Sequence, residues 1–202
     1  MQKNKKLFIL SLTSALIFSF LISIIPFSAS CEEMYDNIVR VRIIANSNNE
    51  KDQTLKLAVR DAILKDSVSL FPNDADYDEI VLIAKENLDA FLKTAEKTVS
   101  KNGFNYSVKA EIRQEFFGTR EYDNFTLPSG NYETLVITLG EGKGENWWCV
   151  MFPSVCIGAC SGNLNDSISE TSAEKAYNSE KYTAKFKVVE IYESIKHFFT
   201  KT

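Results

Sequence analysis

Three lysines, Lys3, Lys5 and Lys6, run straight into the apolar segment Leu7–Ile25. No polar face interrupts that segment, so a helix there is a poor candidate for the half-buried helix of a soluble core. Pro26 and the small residues Ser28-Ala29-Ser30 follow, and an acidic chain begins at Cys31. A basic flank, an apolar stretch and small residues in that order make a secretory signal. Everything after Cys31 is then expected to fold and act outside the cytoplasm, away from nucleotide cofactors and a reducing thiol pool. Cleavage at the small residues is the favoured reading, because Pro26 is expected to break the helix just ahead of them. Two other readings stay open. About 20 apolar residues suffice to cross a bilayer, so the segment can serve as an uncleaved amino-terminal anchor with its basic end in the cytoplasm. Lipidation of Cys31 is the third, although Ser28-Ala29-Ser30 lacks the usual aliphatic residue three places upstream.

The remaining chain suits one domain with a real core. The net charge of the 202 residues is −4, and it becomes more negative without the leader. Such an acidic chain is not a nucleic-acid binder by charge, and nothing in its composition favours anionic membrane surfaces. Cys149, Cys156 and Cys160 lie close together. Outside the cytoplasm that spacing points to a disulfide, with Cys149 and Cys156 closing a short loop, or to plain buried thiols. A metal site lacks a fourth ligand nearby, since His197 is the sole histidine. No metal and no cofactor are expected.

Along the chain, β-branched residues alternate with Arg40 and Arg42 over Asn37–Ala45, predicting a strand that stops at the turn cluster Asn46-Ser47-Asn48-Asn49. Asp52 is the expected cap of a helix reaching Leu70, with Leu55, Ala58, Val59, Ala62 and Ile63 at helical spacing. A second, longer helix is capped by Asp76 or Asp78 and stops at Asn102-Gly103; its stripe runs from Ile80 to Val99. Strands are predicted over Tyr106–Gln114 and Tyr132–Leu139. Between them, Phe116–Gly130 reads as irregular. The glycine loop Gly140–Asn146 reads as a tight, hairpin-like connection into the aromatic segment that ends at Phe152. Gly158–Ala173 reads as a mobile linker, and a terminal helix is expected from about Lys185. The predicted class is α+β: a small antiparallel sheet, two long helices packed on one face and a C-terminal helix. The expected divisions are 1–30, signal peptide or N-terminal anchor; 37–157, the α+β domain; 158–184, polar insertion or linker; and 185–202, the C-terminal helix.

Three constellations bear on chemistry. The glycine loop follows a strand as a phosphate loop does, but it lacks the Gly-Lys-Ser/Thr ending and the helix after it. Cys149 with His197 supplies the parts of a thiol hydrolase, yet nothing around either residue supports that use. The third is the cluster Asn146-Trp147-Trp148-Cys149-Val150-Met151-Phe152, which holds both tryptophans of the chain. Neighbours on a strand point to opposite faces, so one ring can fill the core while the other faces out as an interface anchor; alternatively both pack under helices. No catalytic set emerges, and the chain reads as a non-enzyme.

The run Gly140–Cys156, with Gly-Glu-Gly-Lys-Gly-Glu-Asn-Trp-Trp-Cys-Val-Met-Phe-Pro-Ser-Val-Cys, resembles the signature of the stage II sporulation protein R family of endospore-forming bacteria. Val41–Ser47 followed by Asp52–Ala62, Phe117–Tyr122, and Leu127–Glu133 agree with it in order. The resemblance implies a secreted signal, made in the forespore and exported into the forespore–mother cell intermembrane space. There it would activate a membrane-embedded aspartic protease of the mother cell that processes the precursor of sigma-E. Residues 37–157 would be the signalling domain. Trp147, Trp148, Asn146 and Phe152, with Arg120 and Tyr122, are expected to form or brace the partner-binding face, fixed by a Cys149–Cys156 bridge. The rival readings are an exported thiol hydrolase built on Cys149 and a structural envelope lipoprotein anchored at Cys31.

Overall fold

The computed structural model describes residues 2–72, 76–153 and 163–200. Helix α1 (Gln2–Asn37) leads into strand β1 (Val39–Ile44), then helices α2 (Glu50–Leu70), α3 (Tyr77–Glu86) and α4 (Leu88–Lys101). Strands β2 (Val108–Phe117), β3 (Arg120–Glu121), β4 (Thr126–Leu127), β5 (Gly130–Leu139) and β6 (Asn146–Phe152) follow, then α5 (Glu170–Tyr177) and α6 (Thr183–Thr200). The chain is thus α+β, with a small sheet and a C-terminal helix.

The sheet is mixed, not antiparallel throughout. Its order is β2-β5-β1-β6, and β1 runs parallel to β5 while the other pairs are antiparallel. The helices between β1 and β2 provide the long crossover that parallel neighbours require. β5 and β6 are consecutive but not adjacent, so the glycine loop is not a hairpin turn: it bridges the end of β1.

Val39, Val41 and Ile43 of β1, with Leu135, Ile137 and Leu139 of β5, are buried against Leu55, Val59 and Ile63 of α2 and Phe91, Ala95 and Val99 of α4. Spacing by four puts each helical trio on one stripe, as the sequence predicts. The second predicted helix is in fact two. Asn87 interrupts it, its Nδ2 donating to the Ile83 carbonyl at 2.8 Å, which ends α3 before α4 starts. Nor is only one face covered. Met34 of α1, Ile38 between α1 and β1, the β3–β4 hairpin, and Ala173 and Ala176 of α5 pack with Tyr132 and Val150 in a second cluster. The described part of the expected linker therefore holds a 3₁₀ turn over Leu164–Asp166, helix α5 and a second 3₁₀ turn over Ser179–Tyr182.

Pro26 does not end α1. The helix runs through it. Proline's missing bond is tolerated here, and the Lys185 ammonium donates to the neighbouring Ser23 carbonyl at 3.0 Å.

Nor is Asp52 the cap of α2. That is Asn49, whose side chain accepts from the Asp52 backbone N–H at 2.8 Å. Asp52 is 1% exposed. Its carboxylate accepts from Asn46 Nδ2 (2.8 Å), Ser47 Oγ (2.7 Å), Asn49 Nδ2 (3.1 Å) and Tyr106 OH (3.0 Å). Asn46 Oδ1 in turn accepts from the Glu141 N–H at 2.9 Å, and the Gly144 N–H donates to the Ala45 carbonyl at 2.9 Å. The turn cluster is a polar knot that holds the glycine loop over the end of β1. Gly140, at φ +58, leaves no room for a side chain beside Asn46. A Cβ at Gly144 would lie 2.3 Å from the Ser47 carbonyl oxygen.

Gly144→Ala is expected to destabilise the domain by about 1–3 kcal/mol, the usual cost of overpacking against backbone, read as a lowered denaturation midpoint. The knot also sets an acid limit. Burial pushes the Asp52 carboxyl up, but its hydrogen bonds outweigh burial and hold it below the ordinary value. A lowered folded pKa gives stability that is complete above the unfolded value, about 3.9 for Asp, and is lost as pH falls through the folded one. Denaturant midpoints should hold from pH 7 to about pH 5 and fall below about pH 4. Asp52→Asn should lower the neutral-pH midpoint and blunt that fall.

Candidate functional site

Strand β6 lies at one edge of the sheet, paired to β1 among the described residues. Its register places Trp147 opposite Ile43 and Trp148 opposite Arg42, on opposite faces. Both rings are half-buried, an outcome between the two readings of the sequence. Each lies under an arginine: Arg60 Cζ is 5.3 Å from the Trp147 ring centre, and Arg120 Cζ is 4.0 Å from that of Trp148. Such contacts combine cation–π attraction with cover of the apolar face.

The expected site residues therefore divide. Trp148, Arg120 and Tyr122 come together on one face with Phe117, whose ring meets Trp148 edge-on at 6.3 Å. Trp147 lies on the face covered by α2 and α4. Phe152 is buried, 6.3 Å from Phe71, and belongs to the main core. A register shift between Val39 and Arg40 puts it there, pairing it with Val39. Asn146 is half-buried and accepts from Arg42 Nε at 3.2 Å.

Arg40 is the residue that alternation along the strand underrates. It is fully buried, with Cζ 3.8 Å from the Phe117 ring centre and 5.0 Å from that of Tyr132. Nη2 donates to the Tyr122 hydroxyl, while Nε and Nη1 have no hydrogen-bond partner among the described residues. Burial pushes its pKa down, and Tyr122 acts against that. Tyr122 also stacks on Phe125 at 4.6 Å, so the β3–β4 hairpin is tied to β1 through a buried cation. An Arg in a strand of β-branched residues signals a special position, but its burial depends on the rings of β2 and β5.

Next to this cluster, the face is charged. Arg42 Nη1 meets Glu115 at 2.6 Å, and Glu115 also accepts from Arg113 at 2.6 Å. Burial raises the Glu115 carboxyl, but these two arginines pull it below the usual range. The groove between the hairpin and the α5–α6 corner carries Arg120, Glu121 and Asp123 facing Glu180, Lys187 and Glu190, charges of both signs.

The geometry bears on catalysis too. Cys149 is buried and disulfide-bonded. The expected partner, Cys156, lies outside the described residues. His197 stacks on Phe116 of β2, at the opposite edge of the sheet from β6, with ring centres 4.3 Å apart. The pair needed for a thiol nucleophile is not brought together. On α6, Val189 is buried while Tyr192, Ile195 and Phe199, which share its helical spacing in the sequence, are exposed.

Residues 35–161 match the family model described as stage II sporulation protein R. The chain is 37% identical over 121 residues to stage II sporulation protein R of Bacillus subtilis (strain 168), which covers 60% of this chain and 54% of that protein. The match thus spans about half the length of that relative. No solved structure matches. The matched stretch runs from the end of α1 through β6 and takes in every strand of the sheet, and the chain belongs to the stage II sporulation protein R family.

Proposed function

We propose that this protein is an exported signal of sporulation that acts by contact and not by catalysis. It works in the space between forespore and mother cell, where it activates a membrane-embedded aspartic protease of the mother cell and so leads to processing of the sigma-E precursor. Family membership supports the sporulation role. The observation that carries the contact surface is the Trp148–Arg120–Tyr122 cluster: a half-buried tryptophan on an edge strand, under an arginine whose Nε has no hydrogen-bond partner among the described residues. Trp, Tyr and Arg are the residues that dominate interface energies when they are pre-positioned. Asn146 and the buried Phe152 brace this strand from behind, and Trp147 with Arg60 offers a second contact on the other face.

Trp148→Ala and Arg120→Ala are each expected to weaken partner binding by a hot-spot increment of at least about 2 kcal/mol, roughly 30-fold. Sigma-E processing in a strain carrying either allele should fall accordingly, while export and thermal stability of the variant persist. A folded, exported Trp148→Ala protein that supports normal processing would remove this surface from the mechanism. The expected Cys149–Cys156 bridge is checked by peptide mapping of unreduced protein, which should yield the two cysteines in one linked fragment. A linkage of Cys149 to Cys160 would refute that pairing.

A further inference from the structure

The apolar stretch Leu7–Ile25 spans about 28 Å as a helix, close to the thickness of a bilayer's hydrocarbon core. Its side chains are open to the surroundings, with Phe8 67% and Leu16 63% exposed. The helix does not stop where the stretch ends. It continues to Asn37, and from Phe27 onward it is part of the folded domain. Phe27, Cys31 and Met34 are each 1% exposed. Phe27 packs edge-on against Phe186 of α6 at 4.9 Å and stacks on Tyr182 at 5.7 Å. Tyr35 OH donates to the Ser129 carbonyl at 2.6 Å, joining the same helix to the start of β5.

The favoured cleavage site lies inside this packed region. Cutting after Ser30 would remove Phe27 and leave Phe186 uncovered. It would also remove the Ser30 hydroxyl and the Pro26 carbonyl, both of which accept from the Lys175 ammonium.

Cations mark both ends of the apolar stretch. Lys5 and Lys6 precede it, and at its exit the Lys175 and Lys185 ammonium groups reach the Pro26 and Ser23 carbonyls at 3.2 and 3.0 Å. Lysines at the two ends of a span settle at headgroup depth, where they meet anionic lipid.

We infer that α1 is retained as a transmembrane anchor, and that it seats the domain directly on the bilayer, with Lys175 and Lys185 at the headgroups. No flexible tether separates span from domain, because one helix forms both. This inference does not rest on the signalling function.

The test uses the full chain with a carboxy-terminal tag, expressed in a Gram-positive host. Intact mass should show that residues 1–30 are kept. The protein should sediment with membranes, stay there through high-salt and alkaline carbonate washes, and dissolve in detergent. Protease added to protoplasts should digest the domain from outside. A mature amino terminus within residues 28–31 would overturn the inference, as would full-length protein released by carbonate. Neither readout involves sigma-E, so failure here is distinct from failure of the contact mechanism.

Discussion

Strand β1 lies between β5 and β6, and much of the domain follows from that placement. Two strands consecutive in sequence must straddle a third, so their connection has to pass over its end. The Asn46–Asp52 knot makes the crossing feasible, because a buried carboxylate gathers the side-chain and backbone donors of the turn while Asn46 accepts from the loop. The same knot starts α2, the helix that covers β1. One polar cluster therefore fixes strand order, loop path and helix position, and its burial is tolerable because its acceptors are satisfied.

The two faces of the sheet are stabilised differently. Towards α2 and α4 the contacts are apolar and close-packed. On the other face a fully buried Arg40 is held by aromatic rings and one hydroxyl, and Arg42, Arg113 and Glu115 form a charged ladder beside it. An arginine cation confined without a carboxylate at hydrogen-bonding distance among the described residues is costly, so its surroundings must be rigid. The rings that confine it also support Trp148 and the β3–β4 hairpin. Rigidity at this cluster suits the contact surface proposed for it.

The amino-terminal helix joins the exposed apolar stretch to the domain. Its apolar half is exposed among the described residues, and its second half packs against α5 and α6. That continuity is the basis of the proposed anchor, because one helix leaves no flexible tether between the apolar stretch and the domain.

Much of this was legible in the residues. Period two in β1, β2 and β5, the stripes of α2 and α4, and the Gly103 stop follow from local side-chain spacing, and the glycine–tryptophan run placed the chain in its family. The amino-terminal order of basic, apolar and small residues marked a segment that forms a long apolar helix, compatible with secretion or membrane insertion. Local spacing does not encode which strands become neighbours, so the parallel β1–β5 pair and the bridging role of the glycine loop were decided by tertiary packing. The same holds for Asn87, whose side chain splits a helix that hydrophobic period alone would carry through. Whether a polar residue in an alternating pattern faces water or a ring is also settled only when distant strands close over it, as they do over Arg40. Pro26 and the stretch after it show this at the other end of the chain. Their residues read locally as a leader; burial of Phe27 and Met34 by helices some 150 residues later made them part of the domain.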